Sequence, residues 1–205
     1  LFVCNPNNPT GTMATKAEVA ALMERVPDHV VVVFDEAYYE YVRHPEFPES
    51  LGYVKAGRPV IVLRTFSKIY GLAGLRIGYG ITTPEITNYL NRIRPPFNAN
   101  SMAQRAALAA LDDEAHVAAS RSLNHVEMDK VRDGLRRLGF EALPSETNFL
   151  YFDVGRSGRE VFDALLAKGI IVRHTEGRML RVTIGLPEEN QLFLSALEDV
   201  TRASQ

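Results

Sequence analysis

One cysteine, Cys4, is all that the 205 residues contain. A lone thiol excludes an internal disulfide and a thiolate zinc cluster, and it agrees with a reducing, cytoplasmic setting. A basic excess is missing too: 23 lysines and arginines stand against 25 aspartates and glutamates, a formal charge of −2. Without a basic field to hold a phosphodiester backbone, a nucleic-acid partner is not expected. Long apolar runs are also absent. Stretches such as Val30 to Phe34 are far too short for a bilayer, so no membrane span is expected. Missing motifs narrow the chemistry further. "GLAGLR", beginning at Gly71, has neither the G-x-G-x-x-G spacing of a dinucleotide site nor the GK[ST] of a P-loop. The five histidines are scattered and none forms H-E-x-x-H, so no metal is expected, and no G-x-S-x-G elbow occurs.

What is present suffices for a substantial core, since 46% of the residues are hydrophobic; the length allows one large domain or parts of two. "LFVCN" is a short apolar run closed by the turn-rich "PNNPTG". Thr15 and Glu18 read as a capping box ahead of the apolar face Val19, Leu22, Met23 and Val26. "VVVVFD" lacks alternation, which implies a strand buried on both faces of a parallel sheet, and "RPVIVLRTFS" repeats the pattern. "LRIGYGIT" gives a further strand, and "TPEITNYLNRI" a helix with Pro84 in its first turn. Strands joined through helices indicate an open α/β sheet. Beyond Pro95 and Pro96 the pattern changes: Ser101 and Gln104 cap a helix, and a long helical stretch closes at Gly139. "TNFLYFDV", a helix capped by Ser157 and Glu160, "GIIVR", "MLRVTIG" and a helix from Pro187 suit a smaller α/β domain with an antiparallel or mixed sheet. The expected division is 1–97 and 98–205. An opening on an apolar strand without neighbours leads to the expectation that the chain is the later part of a longer protein.

Asn5 to Asn8, Asp35 and Thr65 to Lys68 all fall just beyond strand ends, where ligands of open α/β sheets gather. A lysine can form a Schiff base with a carbonyl once it loses a proton. Thr65, Ser67 and Arg76 can supply donors to the phosphate of an aldehyde cofactor, and Gly71, Gly74 and Gly78 let the backbone pass close. Asp35 can hold the proton of a pyridine nitrogen, with Tyr38 and Asn8 directed at the ring oxygen. Each residue also has a plain structural role: Asp35 and Ser67 as caps, Tyr38 as a core aromatic, Arg76 as surface charge, "NPNNPTG" as a turn. Their convergence at successive strand ends favours the chemical reading.

"NPNNPTG", "FDEAYYEY", "RTFSKIYGLAGLRIGYG", "TNFLYFD" and "LRVTIG" occur in this order over nearly the whole chain. The pattern resembles the pyridoxal-phosphate-dependent class I/II aminotransferases of fold type I, most of all their histidinol-phosphate branch. The resemblance implies the pyridoxal-phosphate transferase-like (aspartate aminotransferase) fold, with residues 1–97 in the large cofactor-binding domain and 98–205 forming a linker helix and the small domain. It implies pyridoxal 5'-phosphate on Lys68, which is also the proton shuttle. Asp35 would face the pyridine nitrogen, Asn8 and Tyr38 the ring oxygen, and Thr65, Ser67 and Arg76 the phosphate. Arg181, with Arg173 as a second candidate, would hold the substrate's anionic end, and Asn148 lies near that region in the family. The implied activity is transfer of an amino group from histidinol phosphate or an aromatic amino acid to 2-oxoglutarate, in histidine biosynthesis, by a cytoplasmic homodimer. This chain alone is expected to be inactive, because the family's earlier strands, phosphate cradle and ring-stacking residue do not precede Leu1. Decarboxylation or elimination on the same cofactor, and a non-catalytic cofactor-binding or interface module, are the alternatives.

Overall fold

The computed structural model describes residues 1–202. It divides into two compact units: Leu1–Pro6 with Met13–Ala119, and Asn7–Thr12 with the chain from Ser120 onward.

In the first unit, β1 (Phe2–Cys4), β2 (Val32–Asp35), β3 (Val60–Thr65) and β4 (Gly78–Thr82) form one sheet in that order. β1, β2 and β3 run parallel, with Cys4 opposite Asp35 and Asp35 opposite Leu63. The unbroken apolar run of β2 is explained by burial of Val32, Val33 and Phe34 alike, each contributing roughly 1.5–3 kcal/mol. Helix α1 (Lys16–Arg25) closes one core with Val19 and Met23, and Leu51 and Val54 of α2 (Ser50–Lys55) pack against it. The expected capping box is present: Glu18 N–H reaches Thr15 Oγ1 at 3.4 Å and Thr15 N–H reaches Glu18 Oε2 at 2.7 Å. β4 returns antiparallel, with Thr65 opposite Gly78. A parallel return would need a full crossover connection; here the segment from Phe66 to Ile77 stays at one end of the sheet.

Thr83 caps α3 (Pro84–Ile93), with Pro84 in the first turn as expected. Helix α4 (Ser101–Asp112) corrects one detail: its cap is Asn100, whose Oδ1 accepts from Ala103 N–H at 2.8 Å, and Ser101 is already helical. An amide oxygen one residue earlier reaches the same orphan donors. Helix α5 (Glu114–Arg137) is followed by Gly139 at φ +86°, and the division between the units falls within this helix.

The second unit holds β5 (Phe149–Asp153), β6 (Arg173–His174) and β7 (Met179–Thr183) in the order β5-β7-β6, all antiparallel. Leu150 and Phe152 of β5 are fully buried with Leu180 of β7, Leu135 of α5, Leu165 of α6 (Gly158–Ala167) and Leu197 of α7 (Pro187–Arg202). "GIIVR" contributes only Arg173 and His174 to the ladder; Ile171 is 81% exposed, while Val172 turns into the core. Glu127 is buried on α5 and fully engaged: Lys130 Nζ donates to Oε1 at 2.7 Å and Asn190 Nδ2 to Oε2 at 3.0 Å. Asn190 in turn accepts from Gly185 N–H at 2.9 Å, tying α5 to the start of α7. No helix among the described residues is long and apolar enough to cross a membrane.

Thr15→Ala should cost about 1 kcal/mol in a denaturant titration, the usual worth of a side-chain N-cap. The bonds from Lys130 and Asn190 hold the Glu127 carboxyl below its ordinary value of 4.5. Its contribution to stability is therefore complete above 4.5 and is lost as pH falls through the lowered value. Glu127→Gln should lose stability at neutral pH, and the gap to the parent protein should narrow on acidification, as read by thermal unfolding across pH.

Candidate active site

In the first unit, the ends of β2 and β3 finish in the same way. Asp35 Oδ1 accepts from Ala37 N–H at 3.1 Å, and Thr65 Oγ1 accepts from Ser67 N–H at 3.0 Å. Each side chain turns the backbone out of the ladder, as short polar side chains do. The Asp35 carboxylate thus shapes a turn with one oxygen and caps no α-helix; a carboxylate has room for further donors.

Lys68 sits between two anchors, Phe66 and Ile69, both buried. Its segment folds back on itself: Gly71 N–H donates to Lys68 O and Leu72 N–H to Phe66 O, each at 2.9 Å. Gly71 supplies the left-handed φ of +71° that this turn requires. Lys68 Nζ lies 5.2 Å from the centroid of the buried Tyr38 ring. The exposed Arg76 guanidinium donates from Nη1 to Ala73 O at 2.9 Å and to Ser67 Oγ at 3.4 Å. Gly78 is the glycine that close approach demands, because a Cβ there would lie 2.8 Å from Arg64 O. Gly74 is not, since a Cβ there would meet nothing within 4 Å.

Glu36 and Arg64 were not singled out by sequence reasoning. Glu36 is 1% exposed, and Arg64 donates to its Oε2 from Nε at 3.0 Å and from Nη2 at 2.9 Å. Arg64 also lies 3.5 Å above the Tyr39 ring. Burial pushes the Glu36 carboxyl pKa up, against the pull of Arg64. Nearby, burial, then the charge of Glu40, pushes the Tyr70 phenol up to about 12, so it stays protonated at neutral pH. The available signal was only an acid directly after Asp35 and a base directly before Thr65; that the two meet follows from the register of β2 and β3.

In the second unit, Asn7 N–H donates to Thr12 O at 2.8 Å and Glu146 N–H to Gly11 O at 2.9 Å, which joins the Asn7–Thr12 turn to this unit. Asn8 is therefore grouped with Arg181 and not with Asn5, which stays beside β1 in the first unit. Asn8 Oδ1 accepts from Arg181 Nη1 at 2.6 Å, leaving the Asn8 amide group to act as donor. Arg181 lies 4.7 Å from the Phe149 ring centroid. Arg173 and Tyr151 are its direct partners on β6 and β5, so the three side chains share one face. Tyr151, also missed, bonds Thr175 Oγ1 through its hydroxyl at 2.8 Å. Asn148 O accepts from Ile184 N–H at 2.8 Å, a strand-end bond.

Two like charges directly opposite each other cost stability, and an anion would relieve that cost. In the first unit the donor set suits a molecule with three features: Arg76, Ser67 and Thr65 for a phosphate, the Lys68 amine for a carbonyl carbon, and Asp35 for a protonated ring nitrogen.

The family model "Aminotransferase class I and II" matches residues 1–197. The histidinol-phosphate aminotransferase of Moorella thermoacetica is 52% identical, over 98% of this chain and 53% of that protein. Histidinol-phosphate aminotransferase 1 of Nitrosococcus oceani is 47% identical, over 98% of this chain and 55% of that protein. The crystal structure of histidinol-phosphate aminotransferase from Sinorhizobium meliloti in complex with pyridoxal-5'-phosphate superimposes with a TM-score of 0.92 at 31% identity, over 100% of this chain and 57% of that one. The chain thus spans about half the length of the curated relatives it matches. A match that runs unbroken through both sheets and the Lys68 segment leaves one assignment: the chain belongs to the class I and II aminotransferase family.

Proposed function

We propose that the chain is the Lys68-bearing part of a pyridoxal-phosphate-dependent aminotransferase, with residues 1–97 in the large cofactor-binding domain and 98–205 in the linker helix and small domain. The whole enzyme, a homodimer, moves an amino group from histidinol phosphate, or an aromatic amino acid, to 2-oxoglutarate. The observation that carries this reading is the Lys68 amine held against the Tyr38 ring, on the strand end next to the one bearing Asp35. Its family membership supports the same reading.

Bound, pyridoxal phosphate supplies an electron sink that makes the substrate's α-proton acidic. Lys68 Nζ would hold the cofactor's carbonyl carbon, and its amine would carry a proton from and back to the bound molecule, which needs an approach of about 3 Å. Its buried neighbours Phe66 and Ile69 keep that amine on a short, fixed segment. Asp35 would hold the proton on the ring nitrogen, and the Tyr38 hydroxyl and the Asn8 amide would donate to the ring oxygen. The Thr65 and Ser67 hydroxyls and the Arg76 fork would hold the phosphate. Arg181 and Arg173, paired across β6 and β7, bind the anionic end of the substrate. Two guanidiniums side by side suit a dianionic phosphate better than a single carboxylate, which favours a phosphate-bearing donor.

Lys68→Ala in the full-length enzyme should abolish transamination while the protein still binds the cofactor noncovalently, as read by product formation and by loss of the visible band that shifts when an amine is added. Normal turnover in that variant would overturn the assignment. Histidinol phosphate, phenylalanine and aspartate, each assayed with 2-oxoglutarate, should give the highest kcat/KM with histidinol phosphate. Arg173→Ala should raise KM for that donor roughly tenfold, the worth of one charge-assisted hydrogen bond, and change KM for phenylalanine less. Carbon dioxide or ammonia in place of glutamate would point instead to decarboxylation or elimination.

A further inference from the structure

We propose that the Glu36–Arg64 pair, a buried carboxylate with a part-buried guanidinium, is a positioning device for the Lys68 site, acting from the back of the sheet, given the cofactor roles proposed above for Asp35 and Lys68. Side chains alternate across a strand, and Asp35 is the register partner of Leu63. Asp35, Leu63 and Thr65 therefore share one face, and Arg64 points to the other. Glu36 follows Asp35 onto that opposite face, and the ladder still holds it there: its N–H donates to Leu63 O at 2.9 Å. The pair thus lies just past the last rung across β2 and β3, Asp35 opposite Leu63, one residue beyond Asp35 and one before Thr65.

Its geometry is fixed on two sides. Nε and Nη2 of Arg64 both bond the single oxygen Oε2, at 3.0 and 2.9 Å. The guanidinium face rests 3.5 Å from the Tyr39 ring centroid, and Tyr79 is the register partner of Arg64 on β4. The clamp therefore spans β2, the turn after it, and β3. Buried ion pairs give little net stability compared with apolar side chains of the same volume. A pair kept at this place, where the two site-bearing turns begin, has a geometric use: it holds the Ala37–Asp35 and Ser67–Thr65 turns at one separation. Glu36 and Arg64 are positioning residues here, acting through Asp35 and the Thr65–Lys68 segment.

The test uses the full-length protein with Arg64→Lys, which keeps the charge and loses the fork, and with the double variant Glu36→Leu/Arg64→Met, which replaces the pair by apolar side chains. The double variant should fold with a melting temperature at or above that of the parent. In the cofactor-free protein both variants should show faster amide exchange at residues 35–38 and 65–68 and not in α1. In the loaded protein the cofactor should bind more weakly, the visible band should shift, and kcat should fall roughly a hundredfold, the scale of a small misplacement at a reacting centre. A folded double variant with parental exchange, cofactor affinity and kcat would overturn the positioning role. A parent protein that shows no visible band with pyridoxal phosphate would overturn the cofactor reading instead, and exchange in the cofactor-free variants would still decide whether the clamp orders the two turns.

Discussion

The parallel backbone ladder between β2 and β3 is the constraint on which the first unit depends. Val32, Phe34, Val60 and Val62 are buried in it, and their burial sets the register that pairs Asp35 with Leu63. A slip by one residue would turn these side chains outward and carry Asp35 and Thr65 to the wrong face. Hydrophobic burial thus decides where two polar side chains end. The Asp35 and Thr65 turns then take the chain out of the sheet at the same end.

Charge is handled in opposite ways in the two units. Around Arg64, a buried carboxylate and an aromatic face meet one largely buried guanidinium, so its charge is matched. Around Arg181 of β7, β6 instead places a second arginine, Arg173, directly opposite, and Asn8 and the Phe149 ring also meet the guanidinium. A matched interior cluster gives rigidity. An arginine pair on a sheet face gives affinity for anions.

The return from β3 to β4 explains why the lysine segment is short and fixed. Gly78 lets β4 approach the Arg64 carbonyl, and buried Phe66 and Ile69 pin the segment on either side of Lys68. His116 Nε2 adds a bond to Ile69 O at 3.0 Å. The backbone of such a segment loses little conformational entropy when a ligand is engaged.

Much of this was legible in local pattern. The unalternating run of β2, the Thr15 cap and the Gly139 stop follow from short-range rules about burial and orphan backbone groups, and they appear where those rules put them. The family pattern was legible for the same reason: its motifs are contiguous stretches whose turn and strand chemistry is local. Other features needed the folded chain. Pairing of Glu36 with Arg64, of Arg173 with Arg181 and of Asn8 with Arg181 spans up to 173 positions along the sequence. No periodicity encodes such a partner, because it depends on strand order and register, which burial decides only when the whole core assembles.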